Sequence, residues 1–271
     1  MKNLIDLQSY FDRIGYQDTP NADLQTLRDI QHLHTQTIPF ENLNPFTGRP
    51  VLLDLDSIQQ KLVTGRRGGY CFEQNHLLKA ALQEIGFKVK SLAARVIIDK
   101  QAHEHSPFSH MLLFIELGPD QYIADVGFGG LTLTSPILLK PDMIQSTAHE
   151  DFRLLKQGDY FRLEASVKGE WKACFIFTLE EQFIEDYTVM NWYTSSHPQS
   201  HFTHTLVAAR TFENGRYALR NSEMNTHFLD KPSNKKVIGN KKEMFSILEQ
   251  IFSINISGLP DLEKQLDRLL S

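Results

Sequence analysis

The sequence predicts an α+β fold in one body, helical over its first 90 residues, β-rich through its middle and mixed at its end. Three observations predict it. Apolar residues recur at helical spacing up to Gly86, β-branched and aromatic runs replace them after it, and turn signals rather than long linkers separate those runs. At 271 residues, 41% of them hydrophobic and 23% charged, the chain can bury a real core without disulfides or metals.

Leu4, Leu7, Phe11 and Ile14 mark a first helix, and Leu24, Leu27, Ile30 and Leu33 a second. Residues 54–62 form a short third. Leu77, Leu78, Ala81, Leu82 and Ile85 define a fourth helix that starts near Cys71 and stops at Gly86. Residues 89–98, 109–117 and 121–126 then read as strands. Gly118-Pro119-Asp120 turns the last two into an antiparallel hairpin. Further strands are expected around 152–155, 160–165 and 172–177, and a helix or packed irregular segment over 183–193. A hairpin at Glu213-Asn214-Gly215 and helices over 243–252 and 262–270 close the chain.

Composition excludes several classes. A net charge of −5 argues against a nucleic-acid partner, which needs clustered Lys and Arg to displace counterions. The one compact basic run, from Asn234-Lys235-Lys236 to Lys241-Lys242, reads as a solvated loop before a helix, open to a small anion. Two cysteines, Cys71 and Cys174, are too few for a secreted disulfide scaffold. The charged, amphipathic start has no signal-peptide core, and no apolar run approaches the roughly 18 residues of a membrane span. A cytoplasmic protein with no membrane partner is the expectation.

The chemistry centres on Arg66-Arg67-Gly68-Gly69-Tyr70-Cys71-Phe72-Glu73-Gln74-Asn75. Paired glycines allow a sharp backbone approach, and Cys71 then falls in the first turn of a helix. That terminus carries partial positive charge and unpaired N–H groups, which favour the nucleophilic thiolate. A buried, inert core cysteine is the competing reading. A nucleophile wants a base, and the base wants an orienting group. His110 stands in the apolar run Ser109-His110-Met111-Leu112-Leu113-Phe114. Asp125 interrupts the next apolar strand, where a carboxylate without a donor is costly. The Gly118 turn brings the two together, in a register the sequence does not fix. Cys174, in Lys172-Ala173-Cys174-Phe175, reads as inert core.

These segments resemble the arylamine N-acetyltransferase family. The resemblance rests on Ile38-Pro39-Phe40-Glu41-Asn42-Leu43, Arg67-Gly68-Gly69-Tyr70-Cys71 through Asn75, Ser109-His110-Met111-Leu112-Leu113, and Asp125-Val126-Gly127-Phe128-Gly129, in the family's order. Tyr70 and Phe72-Glu73-Gln74 are more similar to bacterial than to vertebrate members. Beyond residue 130 it is carried mainly by Asn191-Trp192-Tyr193-Thr194-Ser195. The resemblance implies a helical bundle (1–88), a β-barrel (89–190) and an α/β lid (191–271), the first two related to cysteine proteases and transglutaminases. It implies ping-pong transfer of acetyl from acetyl-CoA, through acetyl-Cys71, to an arylamine, arylhydrazine or arylhydroxylamine. His110 would be the base and Asp125 its orienting group. Phe40, Val96 and Phe128 would line the acceptor pocket, and Gly127 and Phe128 would touch coenzyme A. Arg67 would pair with Glu41 to brace the loop before Cys71.

No tightly bound cofactor and no metal are expected. Gly127-Phe128-Gly129-Gly130 lacks the following helix of a dinucleotide loop, and His103 with His105 lacks further ligands at zinc spacing. A thiol hydrolase, a transglutaminase-like enzyme, an amide synthase and a catalytically inactive binding module remain as rivals.

Overall fold

The computed structural model describes residues 4–98 and 106–270. Helices α1 (Leu7–Ile14) and α2 (Leu24–Thr37) open on Asp6 and Asp23, whose carboxylates accept the N–H groups of Ser9 and Thr26 at 3.0 and 2.8 Å. Those bonds satisfy first-turn donors that a helix cannot pair internally. The short strand β1 (Phe40–Glu41) and helices α3 (Leu43–Phe46) and α4 (Leu55–Gln59) follow, α4 continuing as one wider π turn over 60–64. The fourth predicted helix is α5 (Cys71–Ile85), and it ends at Gly86 with φ 108°, a left-handed cap that a glycine adopts without strain.

The middle of the chain is one antiparallel sheet. Its strands are β2 (Lys88–Val96), β3 (Phe108–Leu117), β4 (Asp120–Ala124), β5 (Ile137–Leu138), β6 (Gln145–Ser146), β7 (Asp151–Gln157), β8 (Tyr160–Val167) and β9 (Glu170–Glu181). They run in the order β5-β4-β3-β2-β9-β8-β7-β6. The edges nearly meet. Gln145 on β6 accepts the Leu138 N–H at 2.7 Å and donates to the Leu138 carbonyl at 2.9 Å, so a side chain bridges the gap between edge strands. The result is a near-barrel filled by Leu92, Leu112, Ile123, Phe152 and Phe175, with Cys174 buried among them as expected.

Helix α6 (Ile184–Ser196) leads into a second antiparallel sheet. Strands β10 (Val207–Phe212), β11 (Gly215–Arg220), β12 (Glu223–Phe228) and β13 (Asn234–Val237) line up beyond β1 in the order β1-β10-β11-β12-β13. Helices α7 (Lys241–Ser246) and α8 (Pro260–Leu270) cover it. Segment 183–193 therefore resolves to a helix, started by the Phe183 N–H bonding to the Asp186 carboxylate at 2.9 Å. The basic run is not the loop expected of it. Residues 234–237 form edge strand β13, paired antiparallel with β12, and Lys235 and Lys236 reach Glu223 and Glu243 at 2.8 and 2.7 Å. Lys241 is held between Glu263 and Asp267.

Among the described residues no helix is long and apolar enough to cross a membrane, and no group of three or more His, Cys, Asp or Glu is placed to hold a metal. His103 and His105 lie outside the described residues.

Candidate active site

One close backbone approach and two side-chain contacts place Cys71 at the head of α5. A side chain on Gly68 would collide with the Pro39 carbonyl, so the nucleophile loop lies directly on the strand that pairs Phe40 with Gly69. Arg67 clamps that contact, donating to Glu41 Oε1 from Nε at 2.9 Å and Nη2 at 2.6 Å, the pairing the family resemblance implied. The Tyr70 N–H donates to Glu73 Oε2 at 3.1 Å, which closes the first turn, and Lys61 Nζ holds Glu73 Oε1 at 2.6 Å. Burial pushes the Glu73 carboxyl up from its ordinary range, against the opposing pull of Lys61.

Cys71 is 4% exposed, and its thiol lies 3.6 Å from the Ser109 carbonyl on β3. His110 is the next residue on that strand. Asp125 sits one residue past the end of β4, which pairs Ala124 with Leu113 and thereby settles the register. Leaving the ladder frees the carboxylate to gather donors. Asp125 Oδ1 accepts from the Gly127 N–H at 2.8 Å and from Asn75 Nδ2 at 2.9 Å, and Oδ2 is 2.7 Å from His110 Nε2. Its carbonyl accepts from Gln31 Nε2 at 3.4 Å and Thr132 Oγ1 at 3.2 Å. Burial acts to lower the proton affinity of His110. The Asp125 carboxylate, by charge and hydrogen bond, and the Cys71 sulfur together override it, and the imidazole is pushed up to about 10. A proton is therefore held firmly on the ring between sulfur and carboxylate.

The structure brings Cys71, His110, Asp125, Gly127 and Phe128 into one cluster. A Cβ on Gly127 would lie 2.5 Å from Cys71 Cα, so this glycine lets the loop pack onto the helix start. Phe128 meets the His110 ring edge-on with centroids 5.1 Å apart. Phe40 joins through Gly129, where an added Cβ would stand 3.4 Å from its ring. Val96 lies further along, half-buried at the end of β2 opposite Phe175, whose ring is 4.9 Å from that of His110. Three contributors escaped the sequence reading. Phe175 and Gln31 carry no local signal. Asn75 carries one, because a position four after Cys71 lies on the same face of α5.

A buried cysteine at a helix start, facing a histidine–carboxylate pair on a near-barrel sheet, defines a protein of the cysteine-protease-like fold. The family model for N-acetyltransferase matches residues 23–260. The arylamine N-acetyltransferase of Mycolicibacterium smegmatis is 43% identical over 227 residues, covering 82% of this chain and 82% of that protein. That of Escherichia coli (strain K12) is 37% identical over 251 residues, covering 92% and 89%. The solved structure of Mycobacterium marinum arylamine N-acetyltransferase in complex with CoA superposes with a TM-score of 0.94 at 35% identity, covering 98% of this chain and 100% of that one. The chain belongs to the arylamine N-acetyltransferase family.

Proposed function

We propose that this protein is an acetyl-CoA-dependent arylamine N-acetyltransferase that works by a ping-pong exchange on Cys71. The observation that carries the reading is the buried His110, hydrogen-bonded to Asp125 at 2.7 Å and near enough to the Cys71 sulfur for that sulfur to raise its proton affinity. In the first half-reaction the thiol proton already rests on His110, and the Cys71 thiolate attacks the thioester carbonyl of acetyl-CoA. The carbon–sulfur bond to coenzyme A breaks, and coenzyme A leaves with the proton returned by His110. In the second, the nitrogen of an arylamine, arylhydrazine or arylhydroxylamine attacks acetyl-Cys71. His110 accepts a proton from that nitrogen and hands it to the departing sulfur. Asp125 keeps Nε2 protonated, so that Nδ1 is the ring nitrogen left for the sulfur.

In the same reading Phe40, Phe128 and Val96 form the wall against which the acceptor ring packs, and Gly127 and Phe128 meet coenzyme A. The helical part (1–88) supplies the nucleophile, the barrel (89–190) the base and its carboxylate, and the lid (191–271) the cover. The setting is cytoplasmic.

Mass spectrometry of the intact protein after brief mixing with acetyl-CoA tests the reading. The expected result is one acetyl group on Cys71 that disappears when an arylamine is added, with acetylated amine appearing. Loss of the adduct at the same rate without amine identifies a hydrolase instead. No adduct in folded protein rules out acetyl-CoA as the donor.

A further inference from the structure

A cavity of about 240 Å³ lies on the seam between α5 and α6, walled by Leu55, Ile58, Ala80 and Ile184. An engineered apolar cavity of about 150 Å³ holds benzene, so this one has room for a single ring with a short arm. Its polar lining is unusual for a packing defect. Tyr187 lines it, and its hydroxyl is fully buried without a hydrogen-bond partner; Ser91 lies near enough to act on it but not in hydrogen-bonding geometry. An unmade bond of that kind is costly unless a ligand completes it.

A cation faces the same space. Lys79 lines the cavity and spends one donor on Ser91 Oγ at 2.8 Å. Among the described residues it has no ion-pair partner, although the charge of Glu181 reaches it. Burial lowers its proton affinity, as expected for an ammonium lacking a paired carboxylate. His76 closes one side, donating from Nδ1 to the Phe72 carbonyl at 2.6 Å and packing edge-on against Tyr187 at 5.3 Å.

We propose that this cavity is a second ligand site that takes a small apolar carboxylate of about one ring, its ring between Ile58, Ala80 and Ile184 and its carboxylate accepting from Tyr187 and Lys79. The site is separate from the Cys71 cluster and stands without the acyl-transfer reading. It has a mechanical route to that cluster nonetheless. Tyr187 packs on Phe72, with ring centroids 5.7 Å apart, and Asn191, one turn along α6, accepts the Tyr70 hydroxyl. A ligand on this seam therefore braces the residues on both sides of Cys71.

Phenylacetate is the probe, titrated by calorimetry and by thermal melting of the full chain, with phenylacetamide as its uncharged counterpart. Saturable binding is expected, weakened about tenfold by Lys79→Met and by the change to the amide, since both remove a charge-assisted bond. Glu181→Gln should act the other way and tighten binding roughly threefold, by removing a like charge. Tyr187→Phe gives a paired readout that a structural role cannot mimic. It should leave the free protein as stable or more so, because the lost hydroxyl had no partner, yet weaken phenylacetate several-fold. No binding to the parent protein overturns the proposal. Equal affinity in the parent and Lys79→Met also overturns it, and assigns the ligand to another aromatic pocket such as the one beside His110.

Discussion

Asp125 holds its hydrogen bonds in a pattern that makes Asp125→Asn informative. Oδ1 faces two fixed donors, the Gly127 N–H and the Asn75 amide, so the oxygen of an asparagine must remain there. Its NH2 would then face His110 Nε2 and force that nitrogen to become an acceptor. The ring proton moves to Nδ1, where the thiol proton should go. Turnover should fall by about 10⁴-fold, as when an amide in place of a triad carboxylate imposes the wrong tautomer. A single-turnover acetylation assay with a parallel melt checks this, and near-parent acetylation would remove Asp125 from the mechanism. Gly127→Ala tests the neighbouring contact. Its methyl must displace either the loop or the start of α5, so we expect a loss of about 1–3 kcal/mol in urea unfolding and slower Cys71 acetylation. Unchanged stability would mean that the loop yields freely. His110 and Asp125 were legible because each breaks an apolar strand. Asn75 was legible only as a residue on the Cys71 face of α5, because its role depends on the Asp125 carboxylate, whose position the sequence does not fix.

Helix α5 is the element on which the site depends, and its start rests on one carboxylate with two tasks. Glu73 accepts the Tyr70 N–H and neutralises Lys61, whose side chain is only 15% exposed. Glu73→Ala removes the cap and strands the ammonium. The expected cost is about 3 kcal/mol, as when one partner of a buried pair is lost. Adding Lys61→Met to Glu73→Ala should restore part of it; equilibrium unfolding of the two variants measures both steps. A loss below about 0.5 kcal/mol would show that Lys61 simply swings into solvent. The bounds of α5 were readable, since Cys71 follows a glycine pair and Gly86 supplies a left-handed stop. The β3–β4 hairpin was readable from its turn, but its register needed the structure. Strand β13 was hidden for another reason. Lysines at an edge resemble a solvated loop until the cross-strand acids on β12 and α7 are in place.

At the scale of the whole molecule, two histidines outside the site govern behaviour in acid. His34 joins α1 and α2 to α5: the Tyr10 hydroxyl meets its Nδ1 at 2.9 Å and Gln74 Oε1 its Nε2 at 3.1 Å. Gln74 spends its own amide protons on Pro39 and Gly69, so its oxygen accepts from His34 Nε2–H. Nδ1 is then the acceptor for Tyr10. The neutral ring satisfies both neighbours, and burial, outweighing the Gln74 bond, lowers His34 to about 3. Burial likewise lowers His76 to about 4. In the unfolded chain both rings titrate near their ordinary value of about 6.5. Below that pH the unfolded state binds protons the native state refuses, so stability rises with pH and is lost as pH falls. The window runs from about 6.5 down to about 4 for His76 and about 3 for His34. Each ring should contribute roughly 1 kcal/mol per pH unit to that slope. Denaturant unfolding at several values between pH 4.5 and 6.5 measures the slope directly. His76→Gln should reduce it by about one proton while leaving stability at pH 7 nearly unchanged, because a glutamine amide can still donate to the Phe72 carbonyl. An identical slope in parent and variant would show that carboxylates, not these buried rings, set the acid limit.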